Sequence, residues 1–282
     1  MTQEPRSEDC FTARFWGVRG SIATPGPETL RYGGNTPCVE IRCGRHVLIF
    51  DAGTGLRVLG HHLQDQGRHA EFDIFLTHSH YDHIEGLPFF APAFVSGNTV
   101  RLWAGHLLPE RSLRETVNAL MADPFFPLPV SALMAETKFL DFRAGETLEP
   151  HPGITLATAP LNHPNRATGY RVDFGGHAIC YVTDTEHFAD RLDDNVLRLI
   201  RGADFVIYDT SFSAAEYASK QGWGHSTWEE GIRLVEAAGA GTLVLFHHMP
   251  RKTDDQLDLL AAEVAGARPG TLVAREGMVL SV

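Results

Sequence analysis

Four donor side chains are packed into the run His78-Ser79-His80-Tyr81-Asp82-His83. Imidazole nitrogens and carboxylate oxygens are the ligands that zinc and similar divalent cations take, and an H-x-H-x-D-H spacing is far more specific than a single histidine. Histidines two residues apart can converge on one ion, while the adjacent Asp82 and His83 point elsewhere and can serve a second ion nearby. The run completes neither coordination shell, so further ligands must come from distant parts of the chain. Candidates follow later apolar runs: His163 in Ala159-Pro160-Leu161-Asn162-His163-Pro164, Asp184 after Tyr181-Val182-Thr183, and His247 or His248 after Leu243-Val244-Leu245-Phe246. A carboxylate such as Asp184 can bridge two cations and balance part of their charge, leaving open positions for water or hydroxide. Nitrogen and oxygen donors without thiolate point to two divalent ions, zinc ahead of manganese or iron.

These residues need strands to carry them. Asp73-Ile74-Phe75-Leu76-Thr77 reads as a buried strand that ends where the motif begins, and strand ends are where such sites gather. Further β-rich runs are Phe11–Val18, Cys38–Cys43, His46–Phe50, Phe72–Thr77, Val100–Ala104, Ile154–Ala159, Ala178–Thr183, Phe205–Asp209, Thr242–Phe246 and Val273–Val282. That number of strands predicts two sheets. Apolar residues recur every three or four positions in Gly55–Asp65, Arg111–Met121, Phe188–Ile200, Thr227–Ala238 and Asp254–Ala265, which predicts helices flanking the sheets. The apolar loop Phe125-Phe126-Pro127-Leu128-Pro129 reads as a loop packed on its own core, with a lid or a partner surface as the functional alternatives.

The chain has 282 residues, 43% of them hydrophobic and 21% charged, which suits one folded domain spanning 1–282 with a flexible terminus over 1–10. Cys10, Cys38, Cys43 and Cys180 form no C-x-x-C and no regular framework, so reduced thiols are expected. The first ten residues are polar, and no run approaches membrane-spanning length, so a soluble, cytoplasmic protein is expected. A net charge of −11 works against attraction of a long polyanion, whereas bound cations would reverse the field locally and admit a small anion.

At these motifs the sequence resembles the metallo-β-lactamase fold superfamily from Phe11 to Val282. The resemblance implies a four-layer αββα sandwich of two mixed β-sheets flanked by helices. It also implies that His78, His80, Asp82, His83, His163, Asp184 and His247 are the metal ligands, with Asp184 bridging and His247 chosen over His248. Asp204-Phe205-Val206-Ile207-Tyr208-Asp209-Thr210 and Gly224-His225-Ser226-Thr227 resemble the ribonuclease Z and phosphodiesterase branch. There the histidine before Ser-Thr assists phosphodiester cleavage and an acidic residue orients it. His225 and Asp209 hold those positions, with Asp where the ribonuclease has Glu, and Asp82, His225 and Asp209 are the expected catalytic residues. Read without the family, Gly-His-Ser-Thr is a helix N-cap signal. Asp51 resembles a structural residue of the superfamily.

Trp16-Gly17-Val18-Arg19-Gly20-Ser21 and Arg31-Tyr32-Gly33-Gly34-Asn35-Thr36 are similar to segments of bacterial phosphodiesterases acting on cyclic phosphates, and on that likeness Arg19, Arg31, Asn35 and Thr36 are candidate substrate contacts. The chain carries no long Gly/Pro-rich insertion like the arm with which ribonuclease Z grips tRNA. The expected activity is therefore hydrolysis of a small anionic cyclic phosphodiester, foremost a cyclic nucleotide. Hydroxide held between two ions would attack phosphorus while His225 protonates the leaving oxygen. The alternatives are a tRNA 3′-processing endoribonuclease, a lactone or thioester hydrolase on the same centre, and a metal-bound sensor without turnover. The likeness to dimeric phosphodiesterases, with the Phe125–Leu128 loop, implies a homodimer.

Overall fold

The computed structural model describes residues 10–65 and 70–282, so the expected flexible terminus lies, except for Cys10, outside the described residues. In its first half the chain lays down β1 (Phe11–Gly17), β2 (Cys38–Cys43), β3 (His46–Phe50), α1 (Gly55–Gln64), β4 (Glu71–Leu76), α2 (Tyr81–Ile84), β5 (Thr99–Ala104), α3 (Leu113–Leu120) and β6 (Glu136–Asp141). Then follow β7 (Thr147–His151), β8 (Ile154–Leu161), β9 (Ala167–Phe174), β10 (His177–Val182), α4 (Asp194–Ile200), β11 (Phe205–Asp209), α5 (Ala214–Tyr217), α6 (Trp228–Ala237), β12 (Thr242–Phe246), α7 (Asp254–Ala267), β13 (Leu272–Val273) and β14 (Val279–Ser281). Two mixed seven-stranded sheets result, in the orders β14-β1-β2-β3-β4-β5-β6 and β13-β12-β11-β10-β9-β8-β7.

Burial on both faces explains why these strands read as near-continuous apolar runs. In β4, Phe75 points into the layer between the sheets beside Phe50, Tyr170, Tyr181 and Phe246, while Phe72, Ile74 and Leu76 point outward against α1 and α3. The second sheet repeats the scheme. Ile179, Ile207 and Val244 face inward, and Cys180, Val206 and Leu243 pack outward on α4, α6 and α7. The layers are helix, sheet, sheet, helix, which is the αββα sandwich the resemblance implied. Among the described residues, no helix is long and apolar enough to cross a membrane.

Three departures from the sequence expectations have physical causes. The single strand expected over Val273–Val282 is two: β13 pairs with β12 in the second sheet, the chain turns through Gly277 at φ 79°, and β14 pairs with β1 in the first. The helix expected over Phe188–Ile200 starts only at Asp194, because the Asp193 carboxylate accepts from the backbone of Asn195 and Val196 and fixes the N-terminus there. Strand β9 escaped the apolar pattern because Gly169 lies at its centre. A Cβ there would sit 3.0 Å from the Leu161 and Leu199 side chains, so the weak β-former is the residue that fits. The Phe125–Pro129 loop divides: Phe126 packs edge-on to Phe89, and Phe125 stays 84% exposed.

Phe75 is fully buried and stacks on Phe50 and Trp103 between the sheets. Phe75→Ala should therefore lower unfolding free energy by about 3–5 kcal/mol, read as a shift of the urea midpoint at unchanged slope.

Candidate metal centre

Carboxyl ends of strands from both sheets meet at one edge of the sandwich. Asp51 follows β3, Thr77 to His83 follow β4, His163 follows β8, Asp184 follows β10, Asp209 ends β11 and His247 follows β12. Three of these, Asp51, Asp184 and His247, hold φ of 60°, 57° and 63°, and Ser21, Asn165 and Arg166 nearby are also left-handed. Such backbone costs a non-glycine residue on the order of 1–3 kcal/mol and persists where surrounding contacts over-determine it. Each turn lifts its side chain off the strand end into the common space. Glycine supplies clearance elsewhere: a Cβ on Gly20 would lie 2.3 Å from the His247 ring, and one on Gly224 would lie 2.4 Å from His163.

The donors form two groups about a shared carboxylate. Ligand atoms of His78, His80 and His163 lie within 4.8 Å of one another, as do those of Asp82, His83 and His247. Asp184 stands between them. Its Oδ1 is 3.9 Å from His78 Nε2 and 3.8 Å from His163 Nε2, and its Oδ2 is 3.2 Å from His83 Nε2 and 3.3 Å from His247 Nε2. It is His247 that joins the group; His248 turns away and donates through Nε2 to the Ala274 carbonyl.

Oxygen acceptors aim the imidazoles. The Asp51 carboxylate takes His83 Nδ1–H at 2.8 Å, and the Gly224 carbonyl takes His163 Nδ1–H at 2.8 Å. Thr77 Oγ1 donates to Asp51 and so accepts from His78 Nδ1; Ser211 Oγ donates to Asp209 and so accepts from His247 Nδ1. Each of these rings thereby turns Nε2 to the cluster, the arrangement that fixes tautomer and direction in metal-bound histidines. His80 differs: its Nδ1 faces His163 and its Nε2 faces the Asn165 amide. Asp51 also accepts from Tyr181, so a residue set aside as structural is the anchor of His83.

This donor set fits divalent cations. Nε2 of His78, His83 and His247 is buried without a hydrogen-bond partner, and orphaned buried polar atoms call for an explanation. With Nδ1 protonated, the Nε2 lone pair of His83 faces carboxylate oxygens of Asp82 and Asp184 at 3.3 and 3.2 Å, which is repulsive unless a positive charge intervenes. Burial above all holds His78, His80 and His163 below their ordinary range, in the neutral form that ligates. His83 is pushed up against its burial by Asp82, Asp184 and Asp51, the field that would hold a cation.

Beside the two groups, His225 Nδ1 donates to Asp209 Oδ2 at 2.8 Å, and Asp209 is fully buried. Burial opposes charge on this imidazole, but the Asp209 carboxylate, helped by Asp184 and Asp82, pushes it up to about 9. His225 lines an open cleft of about 490 Å³ with His80, Asp82, Asp184 and His247, joined by Ser21, Ser79 and Tyr81. Ser21, whose backbone N–H donates to Asp82 Oδ2 at 2.7 Å, carried no signal beyond the glycine before it.

The four expected substrate contacts are not brought to this cleft, which corrects the sequence reading. Arg19 is fully buried and donates to the carbonyls of Gly33 and Lys252. The Arg31 guanidinium pairs with Asp255 and Asp258 on α7. Asn35 bonds Glu276, and Thr36 bonds Thr54 and Glu85. Most of their polar atoms have internal partners, and Arg19 Nη2, buried without a hydrogen bond, lies 3.8 Å from Asp254 Oδ1.

The sequence pattern of the beta-lactamase superfamily domain matches residues 46–248. The chain is 26% identical to ribonuclease Z of Gemmatimonas aurantiaca over 276 residues, covering 82% of this chain and 85% of that protein. Its fold is similar to the metallo-beta-lactamase fold protein YhfI of Bacillus subtilis, at TM-score 0.72 and 21% identity, covering 97% of this chain and 100% of that one. Zn²⁺-bound PqqB of Methylobacterium extorquens is similar at TM-score 0.71 and 19% identity, with 96% and 100% covered. With its sandwich of two seven-stranded sheets and its clustered imidazoles and carboxylates, the chain belongs to the beta-lactamase superfamily, in the metallo-β-lactamase fold, and is a metal-dependent hydrolase.

Proposed function

We propose that the protein is a dinuclear phosphodiesterase acting on small cyclic phosphodiesters, cyclic nucleotides foremost. The observation that carries this reading is the His225–Asp209 pair at the cleft beside the divided donor cluster. His78, His80 and His163 would hold one divalent ion and Asp82, His83 and His247 the other, with Asp184 shared; zinc suits the donors and is bound by the PqqB neighbour. Divalent ions there supply positive charge against the phosphoryl oxygens and lower the pKa of coordinated water to about 7.

The chain's own groups do the rest. Asp209 fixes His225 through Nδ1 and stabilises its charged form, leaving Nε2 to hand a proton to the departing oxygen of a phosphodiester. Ser21 N–H holds the Asp82 carboxylate in place. Tyr81 lines the cleft while 77% exposed, and Ile22 (60%) and Trp223 (53%) lie close in sequence to the lining residues Ser21 and His225. The exposed Tyr81 ring at the cleft suits stacking on a flat ring such as a nucleobase. The ribonuclease Z relative favours a second reading, cleavage of precursor tRNA, which the net charge of −11 opposes. A turnover panel of cyclic nucleotides, precursor tRNA, a lactone and a thioester decides between them; the reading stands if cyclic nucleotides give the highest kcat/KM and fails if tRNA does. The exposed Phe125, Phe89 and Leu128 also support pairing with a second copy, which sedimentation at micromolar concentration reads directly.

Metal analysis of purified protein should find two divalent ions per chain, and Asp184→Ala should abolish nearly all turnover; one ion per active chain, or near-normal rate in the variant, would overturn the dinuclear reading. His225→Ala should slow cyclic-nucleotide turnover by about 100-fold or more with both ions retained. Its effect should shrink on bis-p-nitrophenyl phosphate, whose nitrophenolate leaves without a proton. Equal losses on the two substrates would refute proton donation by His225.

A further inference from the structure

Glu186 lies two residues beyond Asp184, and no sequence motif draws attention to it. Its carboxylate accepts three hydrogen bonds. Oε1 accepts from the Tyr217 hydroxyl at 2.8 Å and from Gly222 N–H at 2.7 Å, and Oε2 accepts from Gly224 N–H at 2.8 Å. Its backbone is tied as well: Glu186 N–H donates to the Asn162 carbonyl at 2.7 Å, and the Asn162 amide donates to the Glu186 carbonyl at 2.8 Å. Glu186 therefore touches the immediate neighbours of two cluster residues, Asn162 before His163 and Gly224 before His225.

Gly224 is where this matters. It sits at φ 82°, so close to His163 that a Cβ would lie 2.4 Å from the ring, and its carbonyl is the acceptor that fixes His163 Nδ1. The segment from Tyr217 to Gly224 lies mostly exposed, with only a short turn of helix, α5, ahead of it. A carboxylate that accepts two backbone amides of such a segment sets the position of its peptide planes. Removing it frees the Gly224 peptide, and with it the acceptor that aims His163. Because both oxygens are taken and Glu186 does not line the cleft, it is neither a ligand nor a proton carrier.

We propose that Glu186 is a positioning residue: it straps the 217–224 loop so that the Gly224 carbonyl fixes His163 and the chain delivers His225, thereby tuning one of the two ion sites. The inference rests on the reading of His163 as a ligand. The experiment is a Zn²⁺ titration of metal-free protein against a competing chelator, with amide hydrogen exchange over 217–226, in wild type, Glu186→Ala, Glu186→Gln and Tyr217→Phe. Expected in Glu186→Ala is a loss of about 10- to 100-fold in affinity for one ion while the other stays within about 2-fold of wild type, because orienting partners of ligating histidines are worth that much. Glu186→Gln, which keeps one acceptor oxygen, should fall between; Tyr217→Phe, which leaves both glycine amides bonded, should titrate like wild type. The Gly222 and Gly224 amides should exchange faster in Glu186→Ala. Equal weakening of both ions, which a general loss of structure would give, overturns the proposal, as does an unchanged titration or no recovery in Glu186→Gln. Absence of Zn²⁺ binding in wild type sinks the dinuclear reading instead; unchanged Gly222 and Gly224 exchange then sinks the strap separately.

Discussion

Imidazole Nε2 atoms and carboxylate oxygens crowd together at the strand ends in an arrangement that calls for positive charge, from a proton or a cation, and the rest of the structure is arranged around that demand. His83 and His247 present Nε2 to carboxylates of Asp82 and Asp184 at 3.2–3.4 Å, and His78 Nε2 is buried with no donor or acceptor bonded to it. In a folded protein with marginal stability, such a set is tolerated where bound cations convert repulsion into coordination. The cluster is thus costly to assemble and suited to accept positive charge.

Meeting that cost requires rigid support, and the fold supplies it in layers. Between the sheets, Phe50, Phe75, Tyr170 and Tyr181 form a packed aromatic centre, and Tyr181 reaches from it to donate to Asp51, which in turn holds Thr77 and His83. The apolar core is in this way connected by hydrogen bonds to His78, through Thr77, as well as to His83. Left-handed backbone at Asp51, Asp184 and His247 is strain held by this scaffold and spent on aiming side chains. The N-terminal segment around Arg19 and Gly20 belongs to the same support: Gly20 gives His247 room, and Ser21 steadies Asp82.

Division of labour follows from distance to the cluster. Neutral, buried imidazoles suit coordination, whereas His225, partly open to the cleft and held by a fully buried carboxylate, suits proton transfer. Ser211 bonds both Asp209 and His247, so the His225–Asp209 pair and His247 share a tether. Glu186 provides the corresponding link on the other side, from the His163 segment to the His225 segment.

Metal-binding residues and two sheets with flanking helices were legible in the residues themselves. The spacing of His78, His80, Asp82 and His83 is local and survives any fold that ends a strand there, and strands buried on both faces announce themselves as apolar runs, which is why β3, β4, β10, β11 and β12 were legible. Strand β9, with Gly169 at its centre, and edge strands β6 and β7, half-exposed and weakly apolar, were not. Which polar residues face the cleft was set by contacts between distant parts of the chain. Arg19 and Arg31 look like phosphate contacts in sequence, yet they bond the Gly33 and Lys252 carbonyls and carboxylates of α7, while Ser21 reaches the site through a left-handed turn that its residue type does not signal. The choice of His247 over His248 had the same origin: adjacent residues at a strand end diverge, and only the φ of 63° at His247 and the Ala274 carbonyl waiting for His248 settle which ring turns inward, because those partners lie far along the chain and meet only when the two sheets close.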